Sequence, residues 1–250
     1  MIPSLFVSHG APTLPFDDIA ARAFLQGLGA SFERPRGIVI ATAHWETAAP
    51  AVARMAVNGT IHDFGGFPQA LYDLRYPAPG DAALSDRVAA LTGANIDTAR
   101  GLDHGAWVPL LLMYPAHDIP VVQIAVQPHL GVAHHIALGR ALAPLRDEGV
   151  LVMGSGSFVH NLRALDRRGP DAPEPDWSRD FARWMDAAIM ARDDDALVHY
   201  RDRAPFAQMA HPEEEHLLPL FIAYGAGAKA THLHDSHVYG SLRMDAYSFA

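Results

Sequence analysis

The sequence contains no cysteine. That absence removes thiolate zinc sites, iron–sulfur clusters, disulfide staples and cysteine nucleophiles, so any metal must be held by nitrogen and oxygen. Also missing is any apolar run approaching the roughly 18 to 20 residues a membrane span needs. The opening MIPSLFVSHG has no basic n-region and no small-residue cleavage site, and reads as a first strand rather than a signal peptide. A cytoplasmic protein with no membrane partner is expected. Basic residues are few, 19 Lys and Arg against 28 Asp and Glu, for a formal charge of −9. Runs such as Asp193-Asp194-Asp195 and Glu213-Glu214-Glu215 are the opposite of the basic surface that nucleic acid requires, which leaves small molecules as the expected partners.

Histidine is what the chain has in excess, 15 in 250 residues. Imidazole is the commonest protein metal ligand and the side chain best matched to proton transfer near neutral pH, so the excess points to metal or acid–base chemistry. Half the residues are apolar and 19% are charged, an ordinary globular balance. The length suits one α/β domain spanning 1–250, as a monomer or small homo-oligomer.

Short Val/Ile-rich runs bounded by Gly or Pro predict buried strands at Ser4–Ser8, Gly37–Ala43, Val121–Val126 and Val150–Met153. Helical spacing predicts helices at Asp17–Leu28, Asp81–Leu91, Val132–Leu145 and Trp177–Ala191, with a shorter apolar one over Trp107–Tyr114. Such alternation predicts a mainly parallel central sheet flanked by helices. A further helix is expected to open at His211-Pro212, with Pro at its first position and three glutamates in its first turn, and to stop at Gly225. Two strands near Thr231–His234 and Ser241–Tyr247 predict an antiparallel C-terminal extension, and Asp166–Asp176 reads as a Pro-rich surface loop.

Open α/β sheets bind ligands beyond the carboxyl ends of their strands. His9 follows the first strand, His44 the second, and His160 the turn after Val150–Met153, so three strands aim a histidine at one sheet edge. A single strand-end histidine is more often an ordinary polar residue, but three in equivalent places favour one site. His216, sharing a helical face with Glu213 and Leu220, is the candidate for a further ligand, although a solvated acidic first turn would also explain it. His104, beside Asp103 in a turn, is a plausible proton carrier. His134-His135 lies in an amphipathic helix. His232, His234 and His237 form a rival H-x-H-x-x-H string, ranked lower because Asp235 and Ser236 suggest a turn. Trp45, Phe64, Phe67 and Trp107 are candidate pocket walls or simply core.

Six motifs stand in order over essentially the whole chain: S-H-G-A-P at 8–12, A-H-W-E at 43–46, G-x-D-H-G-A-W-V-P-L at 101–110, G-S-G-S-x-V-H-N-L at 154–162, H-P-x-x-E-H-L-L-P-L at 211–220 and G-S-L-R-M-D-A-Y at 240–247. Together they resemble the class III extradiol ring-cleavage dioxygenases, in the branch of the DOPA 4,5-dioxygenase type. The resemblance implies a single catalytic domain of that type, with His9, His44 and His216 as metal ligands. His160 would be the active-site base and a possible fourth ligand, and His104 would face the substrate. Relatives outside this branch use two histidines and a glutamate, which makes Glu213 or Glu215 the fallback third ligand. The implied substrates are a catechol and O2 and the implied cofactor is Fe(II), with Zn(II) able to occupy the same nitrogens. A redox-active ion is needed because triplet oxygen reacts slowly with a singlet catechol, and three protein ligands leave positions open for both reactants. The competing readings are a zinc hydrolase and a non-catalytic metal-binding or interaction protein on the same fold.

Overall fold

A computed structural model describes residues 2–250. Its strands are β1 (Ser4–Ser8), β2 (Gly37–Glu46), β3 (Ala51–Ala53), β4 (Asn95–Asp97), β5 (Val121–Val126), β6 (Val150–Gly156), β7 (Ala230–His234), β8 (His237–Val238), β9 (Leu242–Arg243) and β10 (Ala246–Phe249). Eight form one sheet in the order β4-β3-β5-β2-β6-β1-β10-β7, while β8 and β9 make a separate hairpin. The centre, β5-β2-β6-β1, is parallel. Beyond β1 the sheet continues antiparallel through β10 and β7, the expected C-terminal extension. At the other edge β3 joins β5 antiparallel and carries β4, two short strands that the apolar pattern does not predict.

The central strands are buried on both faces because helices cover both. Successive residues alternate sides, so Phe6, Val39, Val122 and Val152 meet the helices Gly131–Leu142, Asp176–Ala191 and Leu218–Ala226. Leu5, Val7, Ile38, Ile40 and Leu151 meet the helices Ala20–Leu28 and His104–Met113. This period-two division makes continuous apolar runs out of strands that serve two cores at once.

The strand order decides where the site lies. β6 sits between β1 and β2, so the carboxyl ends that deliver His9, His44 and the 157–160 turn are immediate neighbours. β2 is irregular at that end. Ala41 pairs with Ile124, but the next paired residue, Glu46, faces Val126. The intervening residues bulge out of register and bring His44 off the sheet edge, a frequent device beside functional sites.

The helix expected from His211-Pro212 begins only at Leu218. Pro219 is the reason. A helix running from 212 through 226 would hold this proline in its interior, where it lacks a donor and its ring clashes with the carbonyl of Glu215. Instead Pro219 occupies the first turn of the helix, and Glu213 to Leu217 form the turn that precedes it. His216 therefore lies on a turn, not on a helical face with Glu213 and Leu220. Gly156 is what admits this turn. A Cβ there would stand 2.0 Å from the His216 carbonyl oxygen, and the Ser157 N–H donates to the same oxygen at 2.8 Å.

Candidate metal centre

His9, His44, His104, His160 and His216 converge on one cavity of about 360 Å3, with Phe64, Phe67 and Leu162 among its other walls. The Nε2 atoms of His9 and His44 are 3.1 Å apart. The ring of His216 is centred 4.9 Å from that of His44 and 5.6 Å from that of His9. His104 is 4.1 Å from His44. His160 stacks on His216 at 3.5 Å, nearly parallel. Donor atoms fall into two groups mutually within 4.8 Å, His9 with His44 and His104, and His160 with Glu215 and His216.

The hydrogen bonds on the outer sides of the rings fix which nitrogen is free. Ser155 has one hydroxyl proton and donates it to the carbonyl of Gly105. It can then only accept from His9 Nδ1, 3.1 Å away, which puts the proton on Nδ1 and a lone pair on Nε2. A carboxylate likewise only accepts. Glu215 Oε1, 2.8 Å from His216 Nδ1, and Asp63 Oδ1, 2.9 Å from His104 Nδ1, therefore each require a proton on Nδ1, so that in the neutral ring the lone pair is on Nε2. Asp63 also accepts from the His104 backbone N–H at 3.0 Å, and its other oxygen lies 3.7 Å from His44 Nδ1.

The charge balance agrees with a set of neutral donors. Burial, reinforced by mutual repulsion with His44, holds His9 well below the usual histidine value. Burial and then the neighbouring His160 do the same to His216. Burial followed by His104 takes His44 down to about 4, against the pull of Asp103 and Asp63. Burial also takes His160 to about 4 despite Glu215. For Asp63, burial would push the carboxyl up, but the hydrogen bonds it accepts from the His104 ring and backbone N–H outweigh it and bring it down to about 2.

These donors fit a metal ion. Two nitrogens bound to one ion at about 2.1 Å and about 90° stand about 3.0 Å apart, close to the 3.1 Å between the Nε2 atoms of His9 and His44. With no thiolate present, the set suits a borderline ion such as iron or zinc.

The chain matches, over residues 20–249, the family described as the catalytic LigB subunit of aromatic ring-opening dioxygenase. It belongs to the LigB family. A Beta vulgaris protein named 4,5-DOPA dioxygenase extradiol is 41% identical, covering 98% of this chain and 96% of the relative. An Escherichia coli relative of the same name is also 41% identical, over 90% and 85%. A crystal structure of an uncharacterized Escherichia coli K12 protein superposes with a TM-score of 0.82 at 32% identity and full coverage of both chains. The LigB assignment makes the protein an oxidoreductase that opens aromatic rings with O2, in line with the resemblance drawn from its motifs.

The other candidates sort by their surroundings. Both nitrogens of His232 are occupied, Nε2 by Asp245 at 3.0 Å and Nδ1 by Asp186 at 3.2 Å. His234 pairs with Ser236 and stacks on Phe24, so among the described residues the H-x-H-x-x-H string forms no metal cluster. His135 is wholly buried and bonded to backbone, and His134 bonds Gln127. Phe64 and Phe67 line the cavity, whereas Trp107 is core, its indole donating to the Ile61 carbonyl, and Trp45 packs in a small cluster with Ala53 and Ala125. Glu215, the fallback ligand by resemblance, accepts from His216 Nδ1 and belongs to the same donor group as His160 and His216. Sequence reasoning missed Asp63 and Ser155 altogether. Asp63 sits in the loop motif His62-Asp63-Phe64, and an acidic residue between aromatic ones was the signal that could have found it.

Proposed function

We propose that this LigB-family protein is an extradiol dioxygenase for a catecholic substrate, with a single non-haem iron(II) held by His9, His44 and His216. The observation that supports the ligand set is that His9 and His216 are tethered through Nδ1, which leaves Nε2 of each neutral ring unprotonated, while His44 Nε2 lies 3.1 Å from His9 Nε2. The names of the two relatives support the extradiol chemistry and the catechol class, to which DOPA belongs. Bound there, iron(II) would supply the electron transfer that lets triplet oxygen react with a catechol, and zinc(II) in the same place would not.

The remaining side chains bind, orient and move protons. Phe64 and Phe67 lie against the cavity and exclude water from the ring that occupies it. His104, locked by Asp63, turns Nε2 inward as an acceptor for a catechol hydroxyl. His160 makes no side-chain hydrogen bond among the described residues, and burial keeps it neutral at pH 7. It is thus free to take the proton of the second hydroxyl and to return it later. Its contact with His216 also leaves it within reach of the ion as a fourth ligand. No helix among the described residues is long and apolar enough to cross a membrane, and a ferrous site is best kept reduced in the cytoplasm, where we place the enzyme.

The test is anaerobic loading of metal-free protein with Fe(II) or Zn(II), followed by a catechol panel and oxygen. A coloured ring-opened semialdehyde with iron alone is the expected result. Ester or amide hydrolysis with zinc would instead support a hydrolase, and no reaction with either would support a binding role.

A further inference from the structure

A second apolar cavity of about 220 Å3 abuts the metal cavity, and the two share Gly10, Ala11, Tyr239 and Leu242 as walls. Its far side is built from Leu14, Ile19, Val238 and Met244, all buried except the partly exposed Ile19. Tyr239 stands at the partition. It lies in the turn between β8 and β9 with φ +51°, a left-handed conformation rare for a bulky residue. Its backbone is pinned there from both sides, the N–H donating to Pro170 O at 3.1 Å and the carbonyl accepting from Asp166 N at 2.8 Å. The main chain is fixed, while Tyr239 is 37% exposed and its hydroxyl makes no hydrogen bond among the described residues.

The charges around the two cavities are one-sided. Among the described residues neither is lined by a lysine or arginine, and apart from the imidazoles their only ionisable walls are Asp17, Asp18 and Tyr239. Arg163 lines an adjoining opening that shares His160 and Leu162 with the metal cavity, and there Glu213 and Glu215 accompany it. A carboxylate on the substrate would therefore find no counter-charge among the described walls of either cavity, and its desolvation there would go uncompensated. An alkyl or aryl group would find apolar walls.

We propose that the second cavity receives an uncharged apolar substituent on the catechol ring, and that Tyr239 sets how long that substituent can be. This deepens the ring-opening reading above and rests on it. The substrate class is then an alkyl- or aryl-catechol rather than a catechol bearing an amino acid or carboxylate.

The experiment measures kcat/KM of the Fe(II) enzyme for catechol, 4-methyl-, 4-ethyl- and 4-butylcatechol, 3,4-dihydroxyphenylacetate and 3,4-dihydroxyphenylalanine. The affinity of the Zn(II)-loaded protein for the same compounds is measured in parallel by calorimetry. Both quantities should rise about fourfold per added methylene until the second cavity is filled, and the two carboxylated catechols should fall below catechol itself. Tyr239→Ala should extend the rise to longer chains, and Ile19→Trp should end it sooner. A flat alkyl series in both measurements, or a preference for the carboxylated compounds, would overturn the proposal while leaving ring opening intact. If no catechol were turned over, the ring-opening reading would fail instead, and the zinc-protein affinities would still decide whether the cavity selects apolar substituents. Should either variant misfold, the wild-type alkyl series by itself separates these outcomes.

Discussion

Pro109 and Ser155 act on the same atom, the carbonyl oxygen of Gly105. Within the helix His104–Met113 that oxygen would accept from the residue four positions on, which is Pro109 and has no N–H. The Ser155 hydroxyl takes the vacant place. Having donated its proton there, Ser155 can only accept from His9 Nδ1, which keeps His9 Nε2 unprotonated and turned toward His44. A proline inside a buried helix thus sets the tautomer of a histidine just beyond the end of β1.

This chain of bonds is expected to be worth about 10- to 100-fold in metal affinity, the usual effect of removing the partner that orients a ligand. Ser155→Ala should weaken zinc or iron binding by that factor in a competition titration. Unchanged affinity would show that packing alone orients His9.

Gly105→Ala should damage the site more than the fold. A Cβ at this position would lie 2.9 Å from His44 Cδ2 and 3.2 Å from His9 Cε1, both ring atoms with little room to retreat. Metal content after loading should drop by at least about tenfold, with secondary structure by circular dichroism retained. A fully loaded variant would contradict the close approach.

The ligand and proton roles separate by substitution. His9→Ala, His44→Ala and His216→Ala should each lose bound metal, measured by elemental analysis, whereas His160→Ala and His104→Ala should keep it and lose turnover by about 100-fold or more. Because His104 also belongs to a donor group with His9 and His44, loss of metal in His104→Ala with retention in His216→Ala would reassign the third ligand.

Stability should depend on pH through histidines away from the centre as well. His135 donates from Nδ1 to Gly131 O and accepts at Nε2 from the Gln127 N–H, and His211 donates from Nε2 to Phe158 O. Burial takes both from 6.5 down to about 4. Since the unfolded chain then binds more protons than the folded one, their stabilisation is complete above about pH 6.5 and is lost as the pH falls toward 4. Denaturant midpoints of the metal-free protein should decline over that interval, with a shallower slope in a His135→Gln, His211→Gln double variant. Equal slopes would assign the acid sensitivity elsewhere.

Much of this architecture is legible without coordinates. The strands at 4–8 and 121–126 lie where buried apolar runs bounded by Gly and Pro place them, because a strand covered on both faces leaves an unbroken signature. Strand-end histidines mark the edge of the site for the same reason, since polar residues interrupt such runs only where the strand leaves the core. The helix before Leu218 is misplaced by the sequence pattern because apolar spacing outweighs one proline, and Glu213 to Glu215 imitate a helical first turn.

By its composition and local patterns the sequence determined an α/β sheet, a metal chemistry confined to nitrogen and oxygen, and the histidines able to serve it. Which of those imidazoles meet, and which nitrogen of each is bare, depends on strand order, on the bulge in β2, and on contacts such as Gly105 with Ser155 and His104 with Asp63. Those partners lie tens of residues apart in the chain. No local spacing encodes them, because they arise only when packing brings the separate strand ends together.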